Sequence, residues 1–201
     1  MVVHETALVV VDMQNSFCHP EGVVGRDFPV HECDSVVHET QQALARAREL
    51  GVPIVYVYTT YRPDYLDASP TWRKVNAAVA ANKAMVEGSW DAEIVAEIAP
   101  RPGDHLVVKR GFDGFLHTYL EPTLRYLGAR KLLLLGVYTN VCVETTARTA
   151  FQLDFEVTVL SDCTGDTSAE EREMSFRAVG RMFATVAPWR DALAELAPTP
   201  A

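Results

Sequence analysis

Short apolar runs rich in β-branched residues alternate with amphipathic stretches along almost the whole chain, and this alternation most restricts what it can fold into. The runs are residues 7–11 (ALVVV), 54–58 (IVYVY), 106–108 (LVV), 132–135 (LLLL) and 157–160 (VTVL). Each is apolar on both faces, as strands are in a parallel sheet covered on two sides. Between them lie helical patterns over 36–50, 91–98, 119–127, 143–153 and 170–183. In the first of these, Val37, Leu44, Ala47 and Leu50 fall near one face while Gln41, Arg46 and Arg48 point elsewhere. Turn residues punctuate the pattern: Gly51-Val52-Pro53 stops the first helix, Arg101-Pro102-Gly103-Asp104 precedes the third strand, and Gly128 suits a helix C-cap. Thr167 or Ser168 ahead of Glu170 and Glu171, within the acidic run 162–173, suits a helix start. Strict β-α alternation predicts one α/β domain over residues 1–201, a Rossmann-like three-layer α/β/α arrangement with right-handed crossovers.

Composition narrows the function. Of 201 residues 48% are hydrophobic, enough for a core that needs no metal or disulfide, since a chain of this length buries roughly 70% of its unfolded surface. Eighteen basic against twenty-seven acidic residues leave a net charge of −9, which argues against nucleic-acid and anionic-membrane partners. The four cysteines, Cys18, Cys33, Cys142 and Cys163, form no CxxC pair and no disulfide framework, so a structural zinc site is not expected. The opening MVVHETALVVVDMQ has no basic leader, and no segment reaches the length of a membrane span, so a cytoplasmic protein with reduced thiols is expected. No glycine-rich dinucleotide loop follows the first run, which argues against an oxidoreductase and for no cofactor.

In a doubly wound sheet the ligand crevice lies beyond the carboxyl ends of the strands. The first run leads into Asp12, with Met13-Gln14-Asn15 extending a polar rim, the third into Lys109, and the fourth through Gly136 toward Cys142. Taken singly, a turn-capping aspartate, a snorkelling lysine and a buried packing cysteine account for each residue. Two features favour chemistry at Cys142. Gly136, Thr139 and Asn140 interrupt an otherwise greasy segment around a cysteine whose first-turn position favours thiolate. The other two strand ends supply a base candidate, Asp12, and a cation candidate, Lys109. Together the three form a charge-balanced set in which a carboxylate takes a thiol proton and an ammonium stabilises the anion.

VVVDMQNSF at 9–17, KRGFDGF at 109–115, GVYTNVCVETTAR at 136–148 and GSWDAEIVAEIAPRPGDHLVVK at 88–109 closely resemble the isochorismatase-like cysteine hydrolases. The resemblance runs from about residue 5 to residue 189. It implies a six-stranded parallel sheet and an Asp12–Lys109–Cys142 triad: Cys142 the nucleophile, Asp12 the proton acceptor and water activator, Lys109 the electrostatic partner. It also implies a cis peptide between Val137 and Tyr138, which would aim the backbone N–H groups of Tyr138 and Cys142 into an oxyanion hole. A homo-oligomer, dimer or tetramer, is implied too. The reaction implied is cleavage of a C–N bond in a small non-peptide amide, N-carbamoyl or ureido compound, through a thioester and with ammonia released. GSWD and KRGFDGF look most like the carbamoyl and ureido amidases of the superfamily.

Alternatives are an isochorismatase-type vinyl-ether hydrolase, a nicotinamidase, or a binding or assembly protein with a silent site. Nicotinamidases carry an Asp-x-His metal cluster after the second strand, whereas residues 59–65 here read TTYRPDY, so no metal is expected. His4, His19, His31, His38, His105 and His117 show no ligand spacing, although His19 and His31 sit on a loop within reach of the pocket. Substrate-binding candidates are Phe17, Tyr61, Arg62, Trp72, Phe112, Phe115 and Tyr138. Arg62 and Arg110 either grip a substrate carboxylate or stand as solvated charges. Cys18, Cys33 and Cys163 receive no role, and Cys142 is expected to be the most readily alkylated of the four thiols.

Overall fold

Six strands form one all-parallel sheet in the computed structural model, which describes residues 5–196. His4, and residues 1–4 and 197–201 of the expected domain, lie outside the described residues. The strands are β1 (Thr6–Val11), β2 (Ile54–Thr59), β3 (His105–Lys109), β4 (Lys131–Val137), β5 (Glu156–Gly165) and β6 (Thr185–Ala187), in the order β3-β2-β1-β4-β5-β6. Strand order therefore runs outward in both directions from the β1–β4 pair, and the switch point lies between them.

The two-residue period of a strand divides β1 between two cores. Leu8 and Val10 pack with Ile54, Tyr56, Leu133 and Leu135 against the helix α2 (Cys33–Glu49) and the closing helix Trp189–Ala194. Ala7, Val9 and Val11 face the other way, with Val55, Val57, Leu132 and Leu134, against the helices Leu120–Tyr126, Glu144–Gln152 and Ala169–Gly180. Each buried Leu or Val contributes about 1.5–3 kcal/mol, so the sheet is the most strongly fixed part of the molecule.

One glycine lets the two central strands meet. Gly136 pairs with Val11, has φ +127°, and a Cβ placed on it would stand 1.9 Å from the Val11 carbonyl oxygen. Only glycine fits there. The next residue on β1's path, Asp12, turns out of the sheet at φ 52°, a left-handed conformation that aspartate tolerates better than most residues.

Several local expectations change in three dimensions. Residues 91–98 form two single 3₁₀ turns, Trp90–Ala92 and Ala96–Ile98, because the backbone between them is spent on the rim after β1: Asn15 N donates to the Glu93 carbonyl and Val95 N to that of Met13. The pattern over 143–153 starts with a wide π turn, Thr139–Val143, before the helix Glu144–Gln152. The residue pattern alone did not register β6, the helix Trp189–Ala194, or the short helices α1 (Asn15–Cys18), α3 (Pro70–Val75) and α4 (Ala77–Ala81). Ser168 caps the helix Ala169–Gly180 as its sequence suggests, accepting from Glu171 N at 3.1 Å. No helix among the described residues is long and apolar enough to cross a membrane.

Candidate active site

Four neighbouring strands deliver one polar residue each to the carboxyl edge of the sheet. Lys109 ends β3, Thr59 ends β2, Asp12 follows β1, and Cys142 lies in the π turn after β4. Lys109 Nζ stands 2.7 Å from Asp12 Oδ2 and donates to Thr59 Oγ1 at 2.9 Å, to the Gly111 carbonyl at 2.8 Å and toward Cys142 Sγ at 3.5 Å. Thr59 Oγ1 in turn donates to Asp12 Oδ1 at 2.9 Å. Asp12 and Lys109 are 0% and 1% exposed, so their charges face each other with little screening. Asp12 Oδ2 has the ionic contact with Lys109 but no donor in hydrogen-bond geometry among the described residues, leaving a lone pair open.

Burial works against the Lys109 ammonium, yet the charges of Asp12 and Cys142 outweigh it and raise its pKa. Burial dominates at Cys142 and pushes the thiol well up; Lys109 opposes this and Asp12 adds to it. Against the expectation of a thiolate favoured by a helix start, the π turn buries Cys142, and desolvation outweighs the nearby cation. Cys33 Sγ donates to the Cys18 carbonyl at 3.3 Å, away from the cleft.

The rim is tightly braced. Gln14 Nε2 donates to the carbonyls of Thr59 and Ala92 at 2.7 and 2.8 Å, while Gln14 Oε1 accepts from Thr59 N at 2.8 Å. The loop bearing Cys142 has a cis peptide between Val137 and Tyr138, and Asn140 N donates to Asp166 Oδ2 at 2.8 Å. Tyr138 Oη donates to the Phe28 carbonyl at 2.6 Å, tying this loop to the segment after β1. Asp91 anchors the opposite wall, accepting from Val23 N at 2.9 Å and Met85 N at 2.7 Å.

Above these residues opens a cleft of about 380 Å³. Asp12, Lys109 and Cys142 line it together with Phe17, Tyr61, Trp72, Phe112 and Tyr138 from the sequence candidates. Tyr61 and Trp72 lie 4.6 Å apart between ring centroids, and Phe17 meets Tyr138 edge-on at 5.8 Å. Two candidates fall elsewhere. Arg62 is an exposed side chain paired with Asp64 at 3.0 Å, and Phe115 packs below the sheet beside Phe155. Arg110 is likewise committed, to Asp67 at 2.6 Å, so neither arginine offers a carboxylate grip in the cleft. His19 stacks edge-on against Trp90 and His31 approaches Glu32; neither lines the cleft. No group of three or more His, Cys, Asp or Glu among the described residues is arranged to hold a metal.

Sequence reasoning missed Thr59, Asp166 and Glu171 as site residues, and all three line the cleft with Asn140. Asp166 follows β5 as Asp12 follows β1, whereas Thr59 is the last residue of β2 itself.

A buried thiol, carboxylate and ammonium thus meet at the switch point of a parallel α/β sheet. The chain belongs to the isochorismatase family, whose model, described as Isochorismatase domain, matches residues 6–191. It is 37% identical over 182 residues to the ureidoacrylate amidohydrolase RutB of Stutzerimonas stutzeri, covering 85% of this chain and 73% of that protein. Among solved structures, a cysteine hydrolase from Pseudomonas syringae pv. phaseolicola superposes with a TM-score of 0.88 at 26% identity, over 98% of this chain and 94% of that one. The N-carbamoylsarcosine amidase of Thermoplasma acidophilum does so with a TM-score of 0.75 at 26% identity, covering 92% and 97%.

Proposed function

We propose that this chain is a cysteine-dependent amidohydrolase that cleaves a C–N bond in a small amide, N-carbamoyl or ureido compound. The observation that carries the reading is the contact set at the cleft floor, where Lys109 touches both Asp12 and Cys142. Relatives named for ureidoacrylate and N-carbamoylsarcosine support the choice of bond.

Burial disfavours a resting thiolate, so the reaction starts from the thiol, whose proton leaves as the bond forms. Sγ attacks the carbonyl carbon while Asp12 accepts the proton on its open Oδ2 lone pair. Lys109 offsets the negative charge on sulfur and then on the carboxylate. The tetrahedral oxyanion is received by the backbone N–H groups of Tyr138 and Cys142, each such donor contributing about 2.7–4 kcal/mol. The C–N bond then breaks and nitrogen departs as ammonia with the proton from Asp12, leaving a thioester. Water attacks the thioester, giving one proton to Asp12, which returns it to sulfur. The sum is amide plus water to acid plus ammonia. The same reading takes the protein to be a single cytoplasmic domain working as a homo-oligomer, in keeping with its four free cysteines.

Ammonia release measured across a panel of N-carbamoyl and ureido compounds tests this. Cys142→Ala is expected to lower kcat/KM by about a thousandfold or more, as loss of a nucleophile does. Unchanged ammonia release in that variant overturns the reading.

A further inference from the structure

Apart from the Asp12–Lys109 pair, the charged residues lining the cleft are all carboxylates. Asp166 is 2% exposed, and its Oδ1 and Oδ2 accept from the backbone N–H groups of Thr167 and Asn140, both at 2.8 Å. Glu171, on the helix that follows, accepts from Asn140 Nδ2 at 3.0 Å. Both carboxylates are thus held by neutral donors, and no ion pair among the described residues involves either. Of the nearby cations, Arg62 pairs with Asp64, Arg110 with Asp67, Arg148 with Glu144 and Lys109 with Asp12, while Arg73 and Arg172 make no ion pair among the described residues and do not line the cleft. The lining therefore sets one cation against three carboxylates. A second feature points the same way. The remaining walls carry Tyr61, Trp72, Phe112 and Tyr138, whose ring faces attract a positive group.

We infer that the cleft selects a carbamoyl or ureido compound whose remaining part is a protonated amine, with Glu171 as the specificity-determining residue and Asp166 holding the wall that carries it. Relatives named for ureidoacrylate act on a carboxylate-bearing compound; here a substrate carboxylate would face Glu171 with no cation to receive it. Like charges brought together in the cleft lower affinity by about tenfold or more, and opposite charges raise it. Asn140 links this choice to the chemistry, since its backbone holds Asp166 and its side chain holds Glu171 two residues before the nucleophile.

The inference rests on the amidohydrolase reading, and three probes of similar size separate the two: (2-aminoethyl)urea, 3-ureidopropionamide and 3-ureidopropionate, carrying positive, zero and negative charge. Ammonia release is expected to rank them in that order by kcat/KM. Glu171→Gln keeps an oxygen to accept from Asn140 but removes the charge, and is expected to lower the cation-to-anion ratio of kcat/KM by about tenfold. A merely structural role for Glu171 would lower all three rates together and leave the ratio unmoved, which would overturn the inference. So would a wild-type preference for the anion. A readout that needs no variant is the same ratio in rising salt: it is expected to fall as the charges are screened, and a ratio indifferent to salt counts against the inference. If none of the three releases ammonia in a Cys142-dependent way, the amidohydrolase reading itself fails and the inference goes with it; a reversed ranking sinks the inference alone.

Discussion

The cleft floor and the cleft roof are built on opposite plans. Asp12, Thr59, Lys109 and Cys142 stand at the ends of four adjacent strands, all buried and linked through Lys109. The roof is drawn largely from the excursion between β2 and β3, where α3 and α4 bury none of their own residues. Its small cluster, Tyr61, Tyr65, Ala68, Ala84, Met85 and Ala92, is separate from the two sheet cores. The difference teaches where change is cheap. A floor residue is fixed by the whole sheet, so altering it disturbs fold and chemistry together, whereas a roof residue can vary and change chiefly what binds.

The floor should therefore show the largest effect. Lys109→Met leaves the Asp12 carboxylate buried without its ion-pair partner, and breaking a buried pair in this way costs about 3–5 kcal/mol. A fall of that size in urea-denaturation stability is expected, with ammonia release lost. The second change Asp12→Asn removes the stranded charge, and asparagine accepts the left-handed backbone at φ 52°. The double variant should recover most of the stability while remaining inactive. Stability that stays low in the double variant would mean that Lys109 matters for packing more than for charge.

This contrast also explains what was legible in the sequence. Floor residues announce themselves because an apolar run ends abruptly in Asp12 or Lys109, although of the two strands only β1 is buried on both faces and the edge strand β3 is not. Thr59 escaped because threonine is an ordinary strand residue and does not read as a break in IVYVYT. The roof is written in tertiary contacts that no local period encodes: Tyr61, Tyr65 and Trp72 stack only because the excursion folds back on itself. Within KRGFDGF, Phe112 reaches the cleft while Phe115 enters the core, and two phenylalanines three residues apart on a loop give no sign of which is which. Asp113 makes the distinction, accepting from Phe115 N and from Thr149 Oγ1 and so turning Phe115 inward.

A middle-sized effect is expected at Trp72. Its ring packs on Tyr61 and Tyr65 and lines the cleft, yet the helix that carries it has no buried residue. An aromatic pair of this kind contributes about 0.5–1.5 kcal/mol beyond its buried area. Trp72→Ala should raise KM about fivefold, by that energy, with kcat and urea stability changed far less. A collapse in kcat instead would place Trp72 with the floor and erase the division between the two regions.

The smallest effect belongs to Arg62, the residue whose sequence promise and structural position differ most. Its guanidinium pairs with Asp64 two residues on, and the two side chains are 58% and 44% exposed. Exposed pairs of this kind contribute about 0–1 kcal/mol, because water already solvates both charges and holding two long side chains in register costs entropy. Arg62→Ala should leave urea stability within about 0.5 kcal/mol of the parent, as surface substitutions usually do, and kcat/KM within about twofold. The measurement cuts deepest with an anionic ureido compound as substrate. If Arg62 swung inward to hold a carboxylate, its loss would raise KM for that substrate about tenfold or more while sparing a neutral one, since a charge-assisted bond contributes about 1.5–3 kcal/mol. Equal, small effects on both substrates would leave the acidic wall of Asp166 and Glu171 unopposed by Arg62.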